Sequence, residues 1–284
     1  MIKFGPSGNS LNFTLAGYKS SLDSAKFVKD LGLNAFEYSF GRGVNLSDET
    51  ALEIGKVFKE NGVEISVHAP YYINFANPLS EAETKGINYM LSSAKKCKLM
   101  GGKRIIFHPA SQGKEDRETT VNRTIERLKR LTESIYENGL DDMIYCPETM
   151  GKLAQIGTIE EIAMFCKIDK VFIPCVDFGH VNARENGSLK SYKDYKDRLE
   201  FLISELGYEK MKNFHIHFSH IEYSQKGEVR HLTNEDLVFG PHFLPLAEVR
   251  IDLRHEPTVI SETAGTQAID AVEMKNQYNS LLNK

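Results

Sequence analysis

Two periodicities alternate along this chain. Short runs rich in β-branched and aromatic residues read as strands, and each is followed by a longer stretch in which apolar residues recur every three or four positions, as in an amphipathic helix. The strand-like runs are Ile2–Phe4, Ala35–Phe40, Glu64–His68, Arg104–His108, Met143–Glu148, Val171–Phe178, Asn213–Ser219 and Thr258–Glu262. The helical patterns between them cover about 20–31, 47–62, 80–100, 119–138, 159–167, 195–206, 245–253 and 268–282. The fourth of these carries Ile125, Leu128, Leu131 and Ile135 on one face. Gly32, Asn61-Gly62 and Gly101-Gly102 punctuate helix ends, and Ser47-Asp48-Glu49 opens a helix. Parallel strands need crossover helices, and eight β-then-α units can close on themselves. No glycine-rich dinucleotide turn follows the first strand, which disfavours an open doubly wound sheet. The predicted fold class is α/β, a single (β/α)8 TIM barrel occupying residues 1–284 as one domain.

In such a barrel, active sites are built at the C-terminal ends of the strands. The last residues of the predicted strands are therefore the informative ones. The third strand ends in His68, the fourth in His108, the fifth in Glu148 and the sixth in Asp177, with His180 just beyond. The seventh carries His215 and His217 with His220 after them, and the eighth ends in Glu262. A lone strand-end histidine is usually an ordinary hydrogen-bonded side chain. Imidazole or carboxylate at six successive strand ends is different, because burying so many without a partner costs several kcal/mol. Divalent cations are the natural partner. Mixed imidazole and carboxylate ligands suit Zn2+, with Mn2+, Fe2+ or Co2+ as alternatives, and the donors are too many for one ion. Two or three ions sharing a bridging carboxylate can neutralise phosphoryl oxygens on both sides of an in-line displacement.

Composition narrows this picture only slightly. The formal net charge of -4 gives no basic signature of nucleic-acid binding, although bound cations would alter the local balance. Cys97, Cys146, Cys166 and Cys175 show no C-x-x-C spacing and read as reduced, buried thiols. No signal-peptide pattern opens the sequence, and no run approaches the about 20 apolar residues that span a bilayer, so the default expectation is a cytoplasmic protein with no membrane partner.

Taken together, His68-Ala69-Pro70-Tyr71 with Asn74, Phe107-His108-Pro109, Glu148, Asp177-Phe178-Gly179-His180, His217, Arg230-His231 and Ser261-Glu262 resemble the ordered signature of endonuclease IV, colinear from about residue 1 to 275. That family comprises trinuclear-zinc barrels of the xylose-isomerase-like type, which cleave duplex DNA on the 5′ side of abasic sites in base excision repair. The resemblance implies that His68, His108 and Glu148 hold one Zn2+. Glu148, Asp177, His217 and Glu262 would hold a second, and His180 and His231 a third. Glu148 and Glu262 would also position the attacking hydroxide. The abasic nucleotide would be flipped out of the duplex, and Tyr71 would wedge into the DNA stack. The family also suggests a monomer.

Several positions depart from the family pattern. Val229 stands where the third zinc's usual carboxylate is found, with Glu228 beside it as a substitute. Ser7 replaces a histidine after the first strand, and Ser219-His220 replaces an Asn-Asp pair after the seventh. His215 faces the same side of its strand as His217 and is expected deeper than the ligands. His242 and His255 lie off the strand ends and are expected to be structural or at the surface. Arg42 and Asn74 are candidate DNA contacts, and Lys114, Arg117, Arg123, Lys152, Lys226 and Arg230 would put some positive charge on the same face. The main competing reading is a metal-dependent sugar isomerase or epimerase of the xylose-isomerase-like type, which needs fewer histidines. A binding barrel without turnover is a further alternative, disfavoured by the presence of both Glu148 and Glu262.

Overall fold

A computed structural model describes residues 2–41 and 43–283. Eight parallel strands form its centre: β1 Lys3–Pro6, β2 Ala35–Ser39, β3 Glu64–His68, β4 Arg104–Phe107, β5 Ile144–Pro147, β6 Cys175–Asp177, β7 His215–Phe218 and β8 Thr258–Ser261. Continuous pairing runs β2-β3-β4-β5 in one arc and β1-β8-β7-β6 in the other. Two seams join the arcs. Between β1 and β2, Gly8 N–H donates to Glu37 at 2.8 Å and Asn34 N–H to Phe4 at 3.1 Å. Between β5 and β6, parallel bridges form at Tyr145–Phe172 and Glu148–Cys175. The predicted barrel is therefore closed. Gly5 is required at the first seam, since a Cβ there would lie 1.8 Å from the Ala35 carbonyl oxygen.

The predicted outer helices are all present, as Ser24–Asp30, Asp48–Asn61, Ser80–Leu99, Arg117–Glu137, Ile159–Cys166, Tyr192–Leu206, Phe243–Asp252 and Gln267–Leu282. They pack on the outward faces of the strands. Val67, Ile105, Phe107, Tyr145, Val176, Ile216, Phe218 and Val259 all belong to the large core between helices and sheet. The inward face has another character. Ile106, Cys146 and Cys175 form a small separate apolar cluster, and Glu37, Ser66, Arg104 and His215 are buried polar residues on inward positions of β2, β3, β4 and β7. Because strand side chains alternate, the residues two positions further on, at the open end, also face inward. They include His68, His108, Glu148, Asp177 and His217, so the candidate ligands form the top rung of the lumen.

Two local differences from the sequence expectation matter for the site. The sixth strand is only Cys175–Asp177, because Pro174 has no N–H to give the ladder and Asp177 caps a short helix, Phe178–Arg184, by accepting a hydrogen bond from His180 N–H at 2.8 Å. After β7 the chain forms an antiparallel hairpin, Ile221–Ser224 with Gly227–His231, in a region to which the periodicities assigned no element. No helix among the described residues is long and apolar enough to cross a membrane.

Candidate metal centre

The open end of the barrel gathers three ligand groups around Glu148. His68, His108 and Glu148 form the first; Glu148, Asp177, His217 and Glu262 the second; His180, Glu228 and His231 the third. Glu148 is completely buried and contacts four imidazoles. Its Oε2 lies 3.2 Å from His68 Nε2 and 3.3 Å from His108 Nε2, while Oε1 lies 3.1 Å from His217 Nδ1 and 3.3 Å from His180 Nδ1. Glu262 Oε2 is 3.4 Å from His217 Nδ1. Asp177 Oδ2 is buried with no hydrogen-bond partner. An orphaned carboxylate oxygen facing imidazoles that converge on shared carboxylates is what a divalent cation would satisfy, and the donor set fits a borderline metal such as zinc.

The third group is the one the sequence left in question. Tyr223 pairs with Glu228 and Glu222 with Arg230, so Val229 is an extra residue, a β-bulge. In a regular strand, residues three apart point to opposite faces. The bulge restores Glu228 and His231 to one face and turns Val229 to solvent, where it is half exposed. Glu228 Oε2 thereby comes 3.5 Å from His180 Nε2. Gly151 makes room for it, since a Cβ there would meet Glu228 Cβ at 2.7 Å and His180 Cδ2 at 2.9 Å. The hairpin is fixed to this segment through Glu228 N–H, which donates to the Gly151 carbonyl at 3.1 Å.

Oxygen acceptors lie against Nδ1 of three of the imidazoles. His68 Nδ1 is 2.8 Å from the Ala69 carbonyl, His180 Nδ1 2.9 Å from the Thr149 carbonyl, and His231 Nδ1 2.9 Å from Ser219 Oγ. A proton held on Nδ1 leaves the Nε2 lone pair free for a ligand. His217 is oriented the other way. Its Nε2 lies 2.9 Å from Oε1 of Glu37, whose Oε2 is 3.0 Å from His215 Nε2. Glu37 was not foreseen from the sequence, although its inward position between Phe36 and Tyr38 was a signal that could have found it. His215 lies one rung below the ligands, as expected, and forms a deeper group with Cys175 and His217.

The electrostatics follow from this packing. Burial alone would raise the Glu148 carboxyl, but the surrounding imidazoles, His217 and His108 foremost, hold it well below the usual carboxylate range. Burial opposes a charge on His180, yet Asp177 and Glu148 push it up to about 10. His217 is likewise raised despite its burial, whereas burial brings His215 down to about 4. Protons on imidazole thus offset carboxylate charge, and a bound cation would compete with those protons.

The centre opens into a cavity of about 330 Å3, lined among others by Ser7, Tyr71, Lys152, Glu228, Glu262 and Gln267. Tyr71 packs on the rings of His68 and His108, with centroids 5.5 and 5.8 Å away, and its hydroxyl meets Ser39 Oγ at 3.1 Å. Asn74 Oδ1 accepts from Ala76 N–H and Ser111 N–H, tying the loop after β3 to the loop after β4. Arg42 lies outside the described residues. Of the expected positive charges, Arg117 is engaged by Glu161, Arg123 by Glu115 and Arg230 by Glu222; Lys152 stands 4.0 Å from Glu228. His220 and His242 pack on each other, and His255 is fully buried beside Phe214. All four cysteines are free and buried.

Residues 25–270 match the family model for the xylose isomerase-like TIM barrel. The chain belongs to that family. Within it, an uncharacterized protein of Methanocaldococcus jannaschii is 32% identical over 283 residues, covering 99% of this chain and 98% of the relative. A probable endonuclease 4 of Oceanobacillus iheyensis is 28% identical over 231 residues, covering 77% and 73%. Among solved structures, endonuclease IV from Thermus thermophilus matches with TM-score 0.71 at 17% identity, covering 99% of both chains. A D-tagatose 3-epimerase-like protein matches with TM-score 0.71 at 19% identity, covering 99% and 98%. The resemblance read from the motifs thus recurs in the relatives, while the structural neighbours, an endonuclease IV and an epimerase-like protein, share the barrel fold.

Proposed function

We propose that this xylose isomerase-like barrel is a zinc-dependent phosphodiesterase of the endonuclease IV type, incising duplex DNA 5′ to abasic sites. The observation that carries the reading is the third group, His180–Glu228–His231, completed by the bulge at Val229 and adjoining Glu148. Glu148, Asp177, His217 and Glu262 alone would serve a one-ion sugar isomerase or epimerase. Two further histidine-rich groups around them are surplus to that chemistry, whereas a phosphodiester in flight carries charge on several oxygens at once.

Bound divalent ions would supply Lewis acidity toward those oxygens and acidify a water. The chain's own residues do the rest. Glu148 would bridge the first two groups from complete burial. Glu262, which lines the cavity, would position the attacking hydroxide together with Glu148. Tyr71 and Lys152 line the entrance, where an aromatic face and an ammonium suit a sugar–phosphate flipped out of the helix. Metal-quantified protein should nick a duplex carrying a tetrahydrofuran abasic analogue on its 5′ side, leaving a 3′-hydroxyl. An intact duplex, with free ketoses turned over by the same sample, would replace this reading with the epimerase one.

A further inference from the structure

His68 and His231 have a neutral oxygen at Nδ1, the Ala69 carbonyl and the Ser219 hydroxyl, and His180 Nδ1 has the Thr149 carbonyl together with two carboxylates of the ligand groups, Glu148 and Asp177. His217 is different: its outer nitrogen faces a carboxylate that belongs to none of the three ligand groups, that of Glu37. Glu37 is completely buried one rung below the ligands, where an unneeded charge is expensive and an amide or an apolar side chain would be cheaper. It is held there by Ser66 Oγ–H, which donates to Oε2 at 2.8 Å, and by the two imidazoles of β7. Oε1 of Glu37 and both Nε2 atoms lack an aligned hydrogen-bond partner despite separations of 2.9 and 3.0 Å. The carboxylate therefore lies off the N–H axes, and its charge, more than a directional bond, is what reaches both rings.

We propose that Glu37 is the positioning residue for His217, its negative charge keeping a proton on Nε2 so that the Nδ1 lone pair is presented to Glu148, Asp177 and Glu262. The inference rests on the metal-centre reading above. Glu37 also adds a negative charge to the centre without occupying a coordination position. A carboxylate behind a ligating histidine typically raises metal affinity by about 10–100-fold, and the ligand this one touches is His217 of the second group.

The test is zinc affinity measured ion by ion, by chelator competition with metal quantification, on the full chain and on Glu37→Gln and Glu37→Asp. Glu37→Gln keeps the shape and the Ser66 contact but removes the charge. One zinc should weaken by about 10–100-fold while the others keep their affinity, and Glu37→Asp should recover part of the loss. Ring 15N spectra of the zinc-loaded wild-type chain need no variant, and should show His217 protonated at Nε2 and coordinated at Nδ1. Unchanged affinity for every ion in Glu37→Gln, or zinc on Nε2 of His217, overturns the inference while leaving the metal centre standing. A fourth zinc that Glu37→Gln loses overturns it by making Glu37 a ligand. A wild-type chain that takes up no zinc overturns both readings together.

Discussion

Gly151 offers a way to strike the third ligand group without touching a ligand. Its substitution by alanine adds one methyl group that would sit 2.7 Å from Glu228 Cβ, 2.8 Å from Glu228 Oε2 and 2.9 Å from His180 Cδ2. Carbon atoms pack best at about 3.5–4.0 Å, so each contact is well inside the repulsive wall. Turning the Glu228 carboxylate away would relieve only one of them. The nearest atom is Cβ, and the hairpin carrying it must lift from the segment it is bonded to through Glu228 N–H and the Gly151 carbonyl. His180 is less free to yield, because Asp177 caps its helix and the Thr149 carbonyl holds its ring. Overpacking of this kind costs about 1–3 kcal/mol. Metal-free protein can shed that strain by moving the hairpin. Metal-loaded protein must restore Glu228, so the cost falls on binding, equivalent to about 5- to 150-fold in affinity for one ion. Stepwise chelator competition on Gly151→Ala should show one ion weakened by that factor and the others unchanged, with the circular dichroism of wild type. Three ions bound with wild-type affinity would refute the steric argument, and uniform weakening of all ions would place the damage in the fold instead of the third group.

Deletion of Val229 should remove the bulge and turn either Glu228 or His231 outward, again costing one ion per chain by metal quantification, whereas Val229→Thr should cost none. Glu148→Gln should lower metal content and abolish nicking together, by more than the ~100-fold typical of losing a residue that only orients a ligand; unchanged turnover would exclude the bridging role. Gly5→Ala should cost at least about 3 kcal/mol in urea unfolding, at the upper end of overpacking effects, because the clash at the barrel seam is with backbone; an unaltered midpoint would disprove the required close approach. Burial would raise the carboxyl of Glu161, but Arg117 and the Thr158 and Gly157 N–H groups outweigh it and hold it below its ordinary value of 4.5. Its stabilising contribution is therefore complete above about pH 4.5 and is lost as the pH falls through its depressed folded value. The stability gap between wild type and Glu161→Gln should be flat at neutral pH and close in acid, and a gap independent of pH down to about 2 would contradict this.

The alternation of strand and helix patterns, and with it the barrel, is local information: each strand's inward and outward faces and each helix's apolar stripe are written in residue spacing. The strand ends were legible for the same reason, since fold and strand period together place His68, His108, Glu148, Asp177, His217 and Glu262 at one mouth. What sequence could not decide is contact between residues distant along the chain. Whether Glu228 could stand in at Val229's position depended on a bulge, which is a relation between two strands, and on the space left by Gly151, far earlier in the chain. Pairing of Arg117, Arg123 and Arg230 with Glu161, Glu115 and Glu222 likewise emerged only in three dimensions and left fewer free cations than a count suggests. Glu37 has the inward parity of a lumen residue, but its meaning depends on β2 facing β7 across the barrel, where burial and two opposing imidazoles make one carboxylate part of the centre. Periodicity determines which face a side chain takes; only the closed barrel determines what it meets there.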